Sequence, residues 1–425
     1  MAMMDPGSIA LVPAAGRRQR TRVTDYPFRQ DSDFYYLTGF DEPDGLLVLA
    51  PGRLHGEVIL FCNERDSLKE QWDGEIAGPE RVIARLGLDD AFPVADMPDI
   101  LPGLVEGRER IYVTLGEHPQ FDAQLMRWVQ RIRAREAGGA VPPGEFIALK
   151  HLLHELRLYK SAAELRVMQR AADITCAGHA RAMRACQPGL TEAALEAELT
   201  YEFMRSGARH PAYSSIVGSG TNACVMHYMA NRATLRDGDL VLIDAGAEYE
   251  HYAADVTRTF PVNGRFSATQ QALYEVVLYA QQAAIAAATS TNHFNEPHEA
   301  AVLVLVQGLL DLKILKGSLA ELIERAAYLP LCPNKTSHWL GIDVHDVGDY
   351  RVDGEWRALE AGMVLTIEPG LYIPPDAPGI GAKWRGLGIR IEDDVLIESE
   401  GNRVLTEAAP KRPVDVQKMM RRKNR

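Results

Sequence analysis

The stretch that most constrains this fold is Asp239-Leu-Val-Leu-Ile-Asp-Ala-Gly-Ala-Glu-Tyr-Glu-His-Tyr-Ala-Ala-Asp-Val-Thr-Arg-Thr-Phe260. Two apolar and β-branched runs, residues 240–245 and 255–261, flank a polar centre and read as a β-hairpin. A turn centred on Tyr249-Glu250 places Asp244 directly opposite Asp255. Side chains so paired have Cβ atoms about 4.5–5.5 Å apart. Two facing carboxylates repel, so the sheet gains nothing from them unless a cation lies between. A bridging divalent ion is the simplest remedy.

Two later segments supply more acid. In Met363-Val-Leu-Thr-Ile-Glu368 the period of two puts Val364, Thr366 and Glu368 on one face. In Gly388-Ile-Arg-Ile-Glu-Asp-Asp394 it groups Arg390, Glu392 and Asp394 opposite Ile389 and Ile391. Between them lies Ser337-His-Trp-Leu-Gly-Ile-Asp-Val-His-Asp-Val-Gly348, with His338 and His345. Any one of these acids alone reads as a solvated strand end, and a lone histidine as a packed core residue. Imidazole among several carboxylates is the donor set of a manganese, zinc or cobalt site.

A chain of 425 residues exceeds one ordinary core, so two domains are expected, residues 1–150 and 151–425. The first reads as a smaller α/β domain, with strands at 45–51, 57–61 and 110–114 and a linker at 136–143. The second reads as α+β, with helices around a curved, mostly antiparallel sheet. Its helix starts are legible: Ser161 with Glu164, Ser267 with Gln270 and Ser318 with Glu321 form capping boxes. Thr191 opens a further helix that Gly207 stops.

The net charge of -12 argues against a nucleic-acid partner. The basic tail, with Lys418, Arg421, Arg422, Lys423 and Arg425, reads as a solvated, frayed end. Five scattered cysteines without a C-x-x-C pair fit a reduced, cytoplasmic setting. The first residues lack a signal peptide. The apolar stretch 302–315 is broken by Gln307, Asp311 and Lys313, so it reads as a buried helix and no membrane association is expected.

The phrases Val217-Gly-Ser-Gly220, Val225-Met-His-Tyr228, Leu242-Ile-Asp-Ala-Gly246, Asp255-Val-Thr-Arg-Thr259, Thr366-Ile-Glu-Pro-Gly-Leu-Tyr372 and the histidine and Gly388–Asp394 segments stand in one order. With Pro27-Phe-Arg-Gln-Asp-Ser-Asp-Phe34, Arg65-Asp66 and Trp72, they make the chain resemble the Xaa-Pro aminopeptidase (aminopeptidase P) family of pita-bread-fold metallopeptidases, relatives of creatinase. The resemblance implies hydrolysis of the bond before a proline at a peptide N-terminus, by a hydroxide bridging two manganese ions, with zinc or cobalt as alternatives. It implies metal ligands at Asp244, Asp255, His338, Glu368 and Glu392, with Glu368 also carrying the proton. His227 and His345 take the family's substrate-side imidazole places, while Arg390, Tyr372 and Trp72 line the site. Homo-oligomers, dimeric or tetrameric, are implied too.

The chain departs from the family at Asn334, where a histidine is usual, and this puts substrate handling at issue. The Pro-Gly turn usual before the helix following 289–298 is missing, as is a leading helix. A prolidase cutting only Xaa-Pro dipeptides shares the ligand set, and a peptide-binding homologue without turnover is the alternative that Asn334 raises. His151, His154 and Glu155, and His298-Glu299, match no zinc signature and read as packing or surface.

Overall fold

The computed structural model describes residues 1–421. The chain divides into two compact units, Met1–Glu155 and a second starting at Leu156.

The first unit is built on β1 (Ser8–Pro13), β2 (Leu46–Leu49), β3 (Val58–Cys62), β4 (Asp90–Pro93), β5 (Arg110–Val113) and β6 (Glu145–Ala148). They form one mixed sheet in the order β4-β3-β2-β1-β5-β6. The β1–β5, β5–β6 and β3–β4 pairs are parallel. Strands buried on both faces need apolar residues at every position, and β2 and β3 in the middle of the sheet have them. Ile9, Leu11, Val48, Phe61 and Ile111 pack with Trp128 on one side, and Ala10, Val12, Leu47, Leu60 and Tyr112 pack on the other. The glycine- and proline-rich stretch 136–143 is a connection inside this unit, because β6 beyond it pairs with β5.

The second unit carries short antiparallel ladders in place of one continuous sheet. These are β7 (His210–Pro211), β8 (Ile216–Ser219), β9 (Leu240–Asp244), β10 (Ala247–Tyr249), β11 (Tyr252–Ala253) and β12 (Thr257–Pro261), then β13 (Arg351–Val352) and β14 (Glu355–Trp356). They are followed by β15 (Val364–Ile367), β16 (Gly370–Ile373), β17 (Leu387–Arg390), β18 (Asp393–Ile397) and β19 (Asn402–Val404). The principal ladders run β12-β9-β8, β15-β18-β19 and β16-β17. Side-chain and loop bonds join them: Glu392 N–H donates to Thr257 O at 3.1 Å, and the Thr259 hydroxyl donates to Arg390 O at 3.0 Å. Helices Ala162–Ala185 and Glu192–Arg205 cover β8, β9 and β12 through Leu195, Leu199 and Phe203. Helices Ala268–Ala287 and Glu296–Asp311 cover the other ladders through Tyr274, Val277, Leu305 and Leu309. No helix among the described residues is long and apolar enough to cross a membrane.

The expected helix starts hold at Ser161 and Ser267, where both halves of each capping box are made. At Ser318 only the hydroxyl half forms, because the Glu321 carboxylate pairs with Arg325 at 3.1 Å. The hairpin register differs from expectation. Tyr249 pairs with Tyr252, so the turn centres on Glu250-His251, and Asp244 faces Thr257. Glu250 and His251 both have positive φ, 45° and 66°, as the favoured two-residue hairpin turn requires. At the C-terminus residues Pro413–Met420 form a helix and not a frayed tail; Arg422, Lys423 and Arg425 lie outside the described residues.

Two buried ion networks fix the second unit. Asp393, fully buried, accepts from Arg258 at 2.6 Å, Gln281 at 2.6 Å, Lys411 at 2.5 Å and Thr406 at 2.8 Å. Burial opposes its ionisation, but the charges of Arg258 and Lys411 win and hold it down at about 2. Asp346 takes Arg157 at 2.6 Å and Lys160 at 2.8 Å, all three nearly fully buried. Burial raises and these two cations lower the Asp346 pKa, which ends below its ordinary 3.8.

Removing one partner of a buried ion pair leaves an uncompensated charge. Asp346→Ala should therefore cost about 3–5 kcal/mol in urea unfolding. Because the folded-state pKa is depressed, the stabilisation from Asp346 is present above pH 3.8 and is lost as pH falls through the folded value. The variant should lose that acid-limb slope, and an unchanged acid limb would contradict the account.

Candidate metal centre

The acids lie where ladders end or break. Asp244 is the last residue of β9, Asp255 sits between β11 and β12, Glu368 between β15 and β16, and Glu392 between β17 and β18. His338 is on a segment that pairs along β15: Thr366 N–H donates to His338 O at 2.9 Å, and Glu368 N–H donates to Thr336 O at 2.8 Å. The donor atoms of Asp255, His338 and Glu392 all lie within 4.8 Å of one another, and all three residues are buried. His338 Nε2 stands 3.5 Å from both Asp255 Oδ2 and Glu368 Oε1. The two halves of the donor set thus meet at this imidazole.

Gly246 of the Asp-Ala-Gly phrase has a steric cause. A Cβ there would lie 1.6 Å from the carbonyl oxygen of Ala254, so no other residue lets the chain after Asp244 fold back beside Asp255.

The electrostatics report a shortage of positive charge. Burial and the neighbouring Asp244 raise the Asp255 pKa. Burial, then Asp255 and Glu368, push Glu392 well up. Glu368 rises to about 7, chiefly by burial, with His338 and Arg390 working against the rise. His338 is pulled down by burial, but its bond to Asp255 and the charge of Glu368 win and raise it to about 9. Acids and imidazole alike hold protons that a cation would replace. Tyr213 makes the same point, since its hydroxyl contacts both Asp244 and Asp255 with one proton to give. Arg390 donates to Asp244 at 2.5 Å. Oxygen-rich donors with one imidazole, held close and short of charge, fit hard or borderline divalent cations.

The remaining expected site residues divide. His345 packs tilted against His338 with ring centroids 4.1 Å apart, and burial, His338 and His227 lower its pKa. Arg390 and Tyr372 bond each other at 2.7 Å, and Arg390 Nε donates to the Thr257 hydroxyl at 3.0 Å, which in turn donates to Glu392 at 2.6 Å. Arg390 thus reaches Asp244 directly and Glu392 through Thr257, and Tyr372 fixes Arg390. The Asn334 amide donates to Glu368 O at 3.0 Å and lies 3.5 Å from its Oε2. Trp72 belongs to the first unit, on helix Ser67–Asp73, and is 88% exposed. Tyr213 and Thr257 went unrecognised in the sequence. Thr257 lies in the matched Asp255–Thr259 phrase, whereas nothing around Tyr213 marks it.

A buried carboxylate and imidazole cluster at the edges of antiparallel ladders defines a metallohydrolase of the pita-bread class. Residues 166–399 match the model of metallopeptidase family M24, and residues 1–112 match the aminopeptidase P N-terminal domain. The chain belongs to family M24, within its Xaa-Pro aminopeptidases, and carries the family's dinuclear-type metal-binding group. It is 43% identical to Xaa-Pro aminopeptidase of Escherichia coli strain K12 over 98% of this chain and 94% of that one. The structure of aminopeptidase PepP from Pseudomonas aeruginosa superposes with a TM-score of 0.98 at 54% identity, covering 99% of this chain and 95% of that one. Zinc-substituted aminopeptidase P of Escherichia coli in complex with product superposes with a TM-score of 0.96 at 43% identity, covering 99% and 96%.

Cation binding must expel the protons held by this cluster. Groups with raised pKa keep their protons until pH passes that value, so affinity should weaken as pH falls below about 9, the value for His338, and more steeply below about 7, the value for Glu368. Calorimetric titration with Mn2+ or Zn2+ in buffers of different ionisation enthalpy should show net proton release at neutral pH. Binding without proton release would contradict the assignment.

Proposed function

We propose that this chain removes the residue preceding proline from the N-terminus of peptides of three or more residues, using two manganese ions. The observation that carries the reading is the buried Asp255, His338 and Glu392 cluster, flanked by Asp244 and Glu368, in a family M24 aminopeptidase fold. Asp244, Asp255, His338, Glu368 and Glu392 would hold the ions. When bound, such ions supply Lewis acidity towards the peptide carbonyl and an acidified water.

The chain's own groups do the rest. Glu368 takes a proton from the attacking water and delivers it to the departing proline nitrogen. Asn334 keeps that carboxylate aimed through its amide. His227 and His345 donate hydrogen bonds to the peptide and to the carbonyl oxygen as charge develops. Arg390, bonded to Tyr372, holds Asp244, and the two wall the cleft. An Xaa-Pro bond has no amide hydrogen and a fixed φ near -65°, so recognition rests on shape and on the metals and not on gripping an N–H. Five unpaired cysteines support action in the cytoplasm. Resemblance in the N-terminal unit supports assembly as a dimer or tetramer.

The test is hydrolysis of Xaa-Pro-Yaa with manganese added or chelated. Activity should appear with metal, vanish with chelator, and favour tripeptides over Xaa-Pro dipeptides; cleavage of dipeptides alone would overturn the reading. Glu368→Gln should lower kcat by about 10²–10⁴-fold. Asn334→His should change kcat/KM while leaving metal stoichiometry unchanged.

A further inference from the structure

Glu192 is a carboxylate with no solvent exposure at the first position of helix Glu192–Arg205. An acid there ordinarily complements the helix dipole or caps the free N–H groups. Capping is already done by Thr191, whose hydroxyl accepts from Ala194 N–H. Both Glu192 oxygens are spent elsewhere. Oε1 accepts from the Ser219 N–H at 2.8 Å, the Ser219 hydroxyl at 2.8 Å and the Asn222 amide at 3.0 Å. Oε2 accepts from the Tyr228 hydroxyl at 3.0 Å and the Ala233 N–H at 2.8 Å. One carboxylate thus closes both ends of the excursion 219–233, and His227 stands on that excursion.

The rest of the segment is ordered to match. One turn along the helix, Glu196 accepts from Asn231 at 2.9 Å, and Asn231 accepts from Val217 N–H at 2.9 Å. Cys224, Met226 and Tyr228 pack inward on Ile216, Leu242 and Tyr372. Val225 and Met229 are turned out, 54% and 61% exposed, and His227 between them is exposed too. A Cβ at Gly388 would meet Ala223 O at 2.0 Å, so the excursion lies directly on β17, the strand that ends in Arg390. Burying an ionised carboxylate is costly unless donors saturate it, and here every donor belongs to this one segment.

We propose that Glu192 is a positioning residue for His227, fixing where the substrate-side imidazole and its apolar neighbours Val225 and Met229 stand. This rests on the reading that His227 meets the peptide. The carboxamide of Glu192→Gln turns an amide NH2 towards either the three donors on Oε1 or the two on Oε2, and the donor groups on that side lose their acceptor.

The experiment compares the full-length wild type, Glu192→Gln, His227→Ala and the double variant, each loaded with manganese. Amide exchange over residues 220–233 should rise about 10- to 100-fold in Glu192→Gln, with β9 and β15 unchanged. On Xaa-Pro-Yaa, the two single variants should lose kcat/KM to a similar degree, and the double variant should lose no more than His227→Ala. Manganese affinity should be the same in all four. Unchanged exchange over 220–233, exchange that rises equally across the unit, or losses that multiply in the double variant would overturn the proposal. If the wild type fails to cleave these peptides, the functional reading falls, while the exchange comparison still decides the clasp. Should Glu192→Gln not fold, Tyr228→Phe removes one loop hydroxyl from the same carboxylate, and unchanged exchange there counts against the proposal equally.

Discussion

A buried carboxylate must be given positive charge, donated hydrogen bonds or a proton, and the second unit uses all three within a few residues of one another. Asp393 is neutralised permanently by Arg258 and Lys411, which belong to the scaffold. At its neighbours Glu392 and Asp394, burial together with the charge of Asp255 raises both pKa values well above the carboxylate range. Three consecutive acids thus divide into one that holds the fold and two that face the cluster. The guanidinium of Arg390 bonds Asp244 and offsets Glu368 and Glu392 only in part, so the surplus negative charge is concentrated around Asp255, Glu368, Glu392 and His338.

The backbone explains how so many donors meet. Within an unbroken ladder, side chains project at fixed intervals to two faces, and acids from four strands would lie in rows. Here the ladders stop at residues 254–256, at Glu368-Pro369 and at Ile391-Glu392. Each interruption frees one acid from the pleat and lets it turn towards its counterparts. Proline after Glu368 cannot extend the pairing, which sets one break directly in the sequence. Interruptions leave backbone groups without ladder partners, and neighbouring elements absorb them, as where Asp394 accepts from Asp255 N–H at 3.2 Å.

Much of this arrangement was legible. The strand periods grouped Thr366 with Glu368, and the Thr366 hydroxyl does point to that carboxylate. Acids and imidazole in one motif order were enough to expect a cation site. The hairpin register was not legible, because a Glu-His pair at two positive φ angles carries none of the glycine or asparagine that marks such turns. Nor were Tyr213, the Arg258–Asp393 pair or the Glu192 clasp. Each joins residues far apart in the chain, and their local surroundings are those of ordinary helix and strand residues. Glu192 in particular reads as a routine first-turn acid until the segment folded over it is seen.

The ladder breaks carry an evolutionary consequence. Because each donor sits at a discontinuity, with the ladders supported from behind by Asp393 and the apolar layers, exchanging one donor atom need not unzip a strand pair. A scaffold of this kind can change its inorganic chemistry, or abandon it, while remaining a folded protein.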